Sequence, residues 1–365
     1  MKIQFADQRL EPIKTKVFHN ERLNAEDGVI LYESNDLIGV GRIADYVRRQ
    51  RHGVKAYYIY NQHLNYTDIC VNRCRFCAYA KDEGQPGAFT LTTDEIRERL
   101  NARLDEPICE LHIVGGLNDD LPFNYYTDLI RTVKEIRPQA TVKAFTAVEI
   151  DYLARLADLS LQETIESLKD AGLGMLPGGG AEVMSARVRQ KLFPRKIGHE
   201  RWLEIMQAVH EAGLTSNATM LYGHIETIAE RVRHLILLRE LQDQTGGFSA
   251  FIPLAFHSQN TKLAHIEPTT GFDDLKNVAV ARLMLDNFDH IKAYWVMIGE
   301  KSAQIALFFG ADDLDGTIIE EKITHTAGAS TAKGLSAEQM EHLITSAGFE
   351  AVRRDSFYRP ANQFI

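Results

Sequence analysis

Three of the four cysteines lie on one ten-residue stretch, Asp68-Ile69-Cys70-Val71-Asn72-Arg73-Cys74-Arg75-Phe76-Cys77, spaced C-x3-C-x2-C. Three thiolates on one loop can hold three irons of a four-iron cubane and leave the fourth iron without a protein ligand. A small molecule could be chelated at that open corner. A zinc site would want a fourth ligand, or three ligands supplied by several elements, and spacing alone leaves that reading open. A disulfide framework is disfavoured by the odd count and by an N-terminus, MKIQFADQRL, that lacks a secretory apolar core. Cys109 stands apart in an apolar run and reads as a core thiol. Phe76 and Tyr79 flank Cys77, where an aromatic ring can lie on a purine.

The other residues able to do chemistry follow β-rich runs. Gly115-Gly116 serve either a plain turn or a ligand that meets backbone. Glu149 comes after a strand, where a carboxylate can hold a ribose diol. Pro177-Gly178-Gly179-Gly180-Ala181-Glu182 loses much entropy on folding, which points to backbone lying close to a ligand, with a flexible hinge as the alternative. Asn217 could bond a ribose hydroxyl or be a satisfied core amide. Glu226 reads as acid in a helix first turn. His63 and Asn65 precede the cysteines and face either a cavity or solvent; His257 and His325 also enter as site candidates, although a lone histidine is more often structural. Lys191, Arg195 and Lys196 around Pro194 could meet carboxylates, but the run reads as a solvated helix end.

These residues need a scaffold. Residues 1–55 read as a helical lead-in, with Asn24 or Asp27 starting one helix and Asn35 capping another over 36–51. The basic end of that helix suits a helix C-terminus. From residue 56, strands predicted at 56–60, 108–114, 141–146, 173–176, 216–221, 248–254, 291–296 and 311–315 alternate with helices at 93–104, 124–136, 161–171, 200–212, 227–242, 272–287 and 302–309. Seven or eight such units over about 260 residues suit an α/β (β/α)8 TIM-type barrel, and the candidate residues follow strands, where barrel active sites lie. An open doubly wound sheet is the runner-up, but it would want a sharper phosphate fingerprint. The expected organisation is a lead-in over 1–55 packed on the barrel, a barrel over 56–315 and an extension over 316–365, with a helix at 336–347 and a strand at 349–353.

Composition bounds the partners. Of 365 residues, 45% are apolar and 25% charged, which is ordinary for a globular chain with a large core. The net charge of −9 argues against general binding to nucleic acid. No apolar run reaches membrane-spanning length. Few cysteines and no secretion signal point to a reducing cytoplasm.

With Phe76 before Cys77, the cysteine stretch resembles the signature of the radical S-adenosylmethionine (SAM) superfamily, C-x3-C-x-aromatic-C. The resemblance implies a radical SAM barrel with a [4Fe-4S] cluster on Cys70, Cys74 and Cys77 that reduces SAM to a 5′-deoxyadenosyl radical, with SAM consumed. It implies that the Gly115-Gly116 backbone meets the SAM amino group, with Leu117 where relatives often carry an acid. Thr219-Met220-Leu221-Tyr222-Gly223-His224-Ile225-Glu226 is similar to the family's G-x-I-x-G-x-x-E motif, which implies an adenine contact at Met220, Leu221 and Tyr222. Residues 61–70, 143–150, 177–182, 217–224 and 325–329 further resemble the aminofutalosine synthases of the futalosine menaquinone pathway. Two relatives are similar over much of the same sequence: the dehypoxanthine futalosine cyclases and the tyrosine-using half of the deazaflavin (FO) synthases. The synthase likeness implies adenosyl transfer to 3-[(1-carboxyvinyl)oxy]benzoate and an external electron donor of flavodoxin or ferredoxin type. A substrate site would draw on His63, Asn65, Gly178, Gly179, Gly180, His257 and His325. The non-enzyme alternative is an iron–sulfur electron-transfer or sensor protein.

Overall fold

Short runs buried on both faces, several of them apolar and β-branched, form most of the barrel strands, as parallel strands covered by helices must. A computed structural model describes residues 4–361; residues 1–3 and 362–365, the outer tips of the lead-in and the extension, lie outside the described residues. The strands are β1 (Lys55–Ile59), β2 (Asn61–Leu64), β3 (Glu110–Ile113), β4 (Thr141–Ala144), β5 (Leu173–Leu176), β6 (Thr215–Tyr222), β7 (Phe248–Ala255), β8 (His290–Ile291), β9 (Asp313–Gly316) and β10 (Glu350–Arg354). β2 to β8 make one curled, all-parallel sheet in chain order. Its outer layer includes the helices Thr93–Asn101, Phe123–Ile136, Leu161–Ala171, His199–Glu211, Ile228–Thr245 and Gly271–Met284. Thr92, Ser160, Thr227 and Thr270 start four of them with reciprocal capping boxes.

The eighth stave is the segment that begins with β9. Lys292 bridges Asp313 on one side and Gln62 bridges Ile319 on the other, both parallel. The Ala293 N–H donates to the Asp313 carbonyl at 2.8 Å, and the His63 N–H to the Ile319 carbonyl at 2.8 Å. This segment thereby spans the gap between β8 and β2, close to where the sequence places the last strand.

The first barrel strand differs from expectation. β1, read from sequence as the barrel's opening strand, is the middle of a second parallel sheet ordered β10-β1-β9. The barrel opens instead with β2. Residues 56–60 are β-rich but Asn61-Gln62-His63-Leu64 are not, so the pattern gave no sign that the chain leaves one sheet at Tyr60 and continues as a strand of another. Helix Ala147–Ala157, which directly follows β4, was also not foreseen. In the lead-in, Asn24 caps Ala25–Glu33 as expected, whereas Asp36 rather than Asn35 caps Leu37–His52. That last helix packs on Gly271–Met284. Helix Ala337–Ser346, capped by Ser336, leads into β10, which carries Arg354 onto the Asp313 carboxylate at 2.6 Å. No helix among the described residues is long and apolar enough to cross a membrane.

Candidate active site

A cavity of about 360 Å³, within the usual range for a small-molecule site, opens among the loops that follow the barrel strands. Cys70, Cys74 and Cys77 line it, each half-buried and free. Backbone bonds set their loop. The Cys70 N–H donates to the Lys81 carbonyl, the Lys81 N–H to the Asp68 carbonyl, and the Cys77 N–H to the Cys74 carbonyl. Arg195 braces the loop from outside, donating to the Val71 carbonyl at 3.0 Å.

The donor set fits a cubane better than a single ion. Zinc–thiolate bonds of about 2.3 Å would draw the sulfurs to within about 4 Å of one another. Among the described residues, the only trio of His, Cys, Asp or Glu ligand atoms mutually within 4.8 Å is His52, His290 and Asp312. At least one pair of the three sulfurs therefore stands wider than one ion needs. Cys109 is no fourth ligand: its thiol is buried against the carbonyls of Tyr60 and Arg354. Burial pushes the Cys74 thiol up to about 12 despite nearby Lys196, and burial also raises Cys77. Coordination would deprotonate these thiols outright.

The two glycines after β3 hold this loop in place. A Cβ on Gly116 would lie 2.0 Å from the Ile69 carbonyl oxygen and 3.0 Å from the Cys70 Cβ. The Gly116 N–H is used on the Thr67 carbonyl at 2.9 Å. A Cβ on Gly115 would meet the Tyr66 ring at 2.7 Å. Replacing Gly116 with alanine is therefore expected to cost about 1–3 kcal/mol and to push the cysteine loop outward. Iron bound per chain and the melting temperature should both fall; unchanged iron content would show that the loop tolerates the shift.

Glu149 lines the cavity from the first turn of its helix, not from a loose strand end. Its oxygens are already taken: Oε2 by the Thr146 N–H at 2.7 Å, Oε1 by the Tyr66 hydroxyl at 2.8 Å and the Gly115 N–H at 3.2 Å. Burial raises its pKa against these bonds. In this arrangement it fixes the glycine turn.

The pleat of β6 sorts the fifth-strand motif. Thr219 and Leu221 face the cavity. Asn217, on the same side by period two, lies below the lining residues and accepts from the Ser249 hydroxyl at 3.4 Å. The side chains of Met220 and Tyr222 are on the other face, so an adenine contact at these two positions could come only from backbone. Met220 sits in the core, and the Tyr222 hydroxyl donates to Asp274 at 2.7 Å in the helix layer.

The triple-glycine turn is pinned, not a hinge. Gly178 has φ +79°, and a Cβ there would lie 1.8 Å from the Asn217 carbonyl oxygen. That glycine answers to the neighbouring backbone and does not line the cavity. Gly179 and Gly180 do, with the Gly179 carbonyl held by Trp202 Nε1 at 3.0 Å.

Of the histidines, His63 and His257 line the cavity, and the His257 ring meets the Met297 carbonyl at 2.9 Å. His325 does not line it. Its ring bonds Glu321 at 2.7 Å and the Thr331 carbonyl at 3.2 Å, bracing the loop that carries Glu321, Thr324 and Ala327 into the cavity wall. Asn65 is buried beside the site, donating to the Val114 carbonyl at 3.0 Å. Phe76 and Tyr79 both line the cavity, and Phe76 packs edge-on against Phe193.

Among the lining groups that sequence reasoning missed, three bear on the chemistry. Lys196, read as solvated, is buried in the cavity wall, ion-paired with Glu182 and 5.6 Å above the Phe76 ring. Burial acts to lower its pKa, but Glu182 above all outweighs this and raises it, so a cation stands beside the cysteines. The third is His112. The signal was present: Asn61, His63, Glu110, His112 and Lys143 are polar residues at alternate positions of strands that should be apolar on both faces.

Comparisons with known proteins agree with this geometry. Residues 64–238 match the radical SAM superfamily, and residues 245–364 match the CofH/MqnC C-terminal region. An aminodeoxyfutalosine synthase of Thermus thermophilus is 46% identical, covering 97% of this chain and 96% of the relative. One of Streptomyces coelicolor is 40% identical over 96% and 94%. A 5-amino-6-(D-ribitylamino)uracil–L-tyrosine 4-hydroxyphenyl transferase of Archaeoglobus fulgidus is 36% identical over 87% and 92%. Among solved structures, methylornithine synthase (PylB) superposes with a TM-score of 0.75 at 17% identity, covering 93% of this chain and 97% of that one. The hydrogenase maturase HydG of Carboxydothermus hydrogenoformans gives 0.77 at 15% identity, covering 98% and 82%.

Proposed function

The chain belongs to the radical SAM superfamily, whose members use a [4Fe-4S] cluster and SAM, and from that premise we propose that it is an aminodeoxyfutalosine synthase. The reaction adds the 5′-deoxyadenosyl group of SAM to 3-[(1-carboxyvinyl)oxy]benzoate and yields 6-amino-6-deoxyfutalosine for menaquinone biosynthesis. The observation that carries the chemistry is the three-cysteine loop facing a cavity at the carboxyl end of the barrel. The substrate rests on 46% identity over nearly the whole of both chains.

Cys70, Cys74 and Cys77 would hold the cluster. When bound, it would lend the electron that opens SAM to the adenosyl radical and take one back as the closed-shell product forms, so that a flavodoxin- or ferredoxin-type donor in a reducing cytoplasm would serve to prime it. The remaining work belongs to the cavity wall. The Lys196 ammonium offers a charge to a carboxylate, and Glu182 offers one to an ammonium. Phe76, Leu117, Val148 and Leu221 give an adenosyl moiety an apolar bed. Ile252, Leu254 and Phe256 keep water from a carbon radical, which must meet its target within about 3–3.5 Å before it meets solvent.

The test is one anaerobic incubation with SAM, a reductant and the enolpyruvyl benzoate, scored by product mass. An adenosylated, decarboxylated product is expected. Free 5′-deoxyadenosine alone would sink the proposal. Turnover of a futalosine derivative to a cyclised product would favour the cyclase reading. Coupling of tyrosine to the ribitylaminouracil would favour the transferase that the archaeal relatives are named for. A cluster that leaves SAM intact would return the electron-transfer or sensor reading.

A further inference from the structure

Two buried histidines of this chain have both ring nitrogens committed. His210 bonds the hydroxyls of Thr245 and Ser216, and His234 bonds the Met184 N–H and the Thr219 carbonyl, so all four ring nitrogens are used. His63 and His112 are different. They sit directly opposite each other on β2 and β3, with rings parallel at 4.4 Å and 8°. Both line the cavity, and neither ring has a hydrogen-bond partner among the described residues. Their ring nitrogens are uncommitted on the cavity wall, and a ligand docking there would withdraw them from water, so it must supply hydrogen-bond partners in return.

The charges around the pair are already matched to one another. Lys143 pairs with Glu110 at 2.6 Å, and Lys292 with Asp315 at 3.1 Å. Glu321 accepts from the Thr324 N–H and the His325 ring, both at 2.7 Å. Unlike these charged groups, the two imidazoles are uncommitted on the cavity wall. Burial pushes both below the ordinary histidine value; Lys143 lowers both further, Lys292 lowers His112, and Glu321, Asp315 and Glu110 only partly offset this for His63. Two imidazoliums at this separation would also repel. By itself the pair is therefore neutral near pH 7, and a docked anion would favour charging one ring.

We propose that His63 and His112 together seat one carboxylate of a dicarboxylate substrate, and that docking draws one proton from solvent onto the pair. Substrate carboxylate, neutral imidazole and a solvent proton give a hydrogen-bonded ion pair, and no covalent bond changes. The dicarboxylate follows from the proposed synthase activity, so the inference rests on that reading.

Calorimetric titration tests it. The iron-loaded enzyme, held oxidised so that nothing turns over, is titrated with the enolpyruvyl benzoate in two buffers of different ionisation enthalpy. Uptake approaching one proton is expected, with Kd weakening up to tenfold per pH unit as pH rises above neutrality. His112→Gln and His63→Gln each retain a donor but remove one of the two titrating rings. Each should bind about tenfold or more weakly, since a hydrogen bond to a charged group is lost or degraded. The double variant should show no uptake and a flat pH profile. Circular dichroism and iron content verify folding, and either single variant that folds is sufficient. Wild-type binding without proton uptake, or a folded double variant with wild-type affinity and uptake, would overturn the proposal. A wild type that ignores the enolpyruvyl ether but binds benzene-1,3-dicarboxylate with uptake would remove the synthase reading and keep the seat.

Discussion

Replacing Cys74 with alanine is expected to give a folded barrel that holds no four-iron cluster and does not cleave SAM. Cys74 is the middle sulfur of the loop, and its thiol is buried enough to stay protonated up to about 12 without a metal. Two remaining sulfurs would leave two cubane corners open, and such clusters are labile. Iron per chain after anaerobic reconstitution should fall from about four towards zero. Methionine and 5′-deoxyadenosine release should fall to background. Cys109→Ala is the matched control. That thiol lies at the amino end of the barrel, against Tyr60 and Arg354. Its loss should cost about 1–2 kcal/mol of stability and leave iron content and SAM cleavage intact. Equal iron in the two variants would remove the cluster from the Cys70–Cys77 loop.

The readable part of this molecule was the part written in local pattern. The strand at Leu173–Leu176 and the helices at Leu161–Ala171 and Ala337–Ser346 stand where alternation, capping serines and glycine stops place them. The three cysteines were legible because their spacing is itself the ligand geometry. What was hidden is set by three-dimensional register. Whether Met220 or Leu221 faces the cavity depends on a one-residue phase that apolar residues on both faces do not reveal. Gly178 looked like a ligand contact, yet it does not line the cavity and the atoms nearest to an added Cβ belong to neighbouring backbone. Lys196 follows Arg195 in a basic run, and nothing local says that one braces a loop from outside while the other is buried beside the cysteines.

Barrel closure depends on a buried carboxylate, and removing it should have the largest effect on stability. Asp312 precedes β9, the stave between β8 and β2. Its Oδ1 pairs with Arg282 and accepts from the Ile291 N–H at 2.8 Å, and its Oδ2 meets His290 Nδ1 at 2.5 Å. Arg282 and Asp312 are fully enclosed. Asp312→Ala leaves the Arg282 guanidinium buried without its counter-charge, a change that costs about 3–5 kcal/mol. The melting temperature should drop by several degrees or more, and substrate affinity should weaken with it, because Asp315 and Glu321 ride on the same segment. Asp312→Asn, which keeps an acceptor, should lose less. The pH dependence has a definite sign. Burial would raise the Asp312 pKa, but His290 and Arg282 outweigh it and hold the carboxyl far below its ordinary value. Its stabilisation is therefore complete above the unfolded value near 4 and is lost as pH falls below it. The gap in melting temperature between wild type and Asp312→Asn should be constant from pH 6 to 8 and shrink below about pH 4. A gap that persists undiminished into acid would show that the carboxylate's charge is not what holds the closing stave.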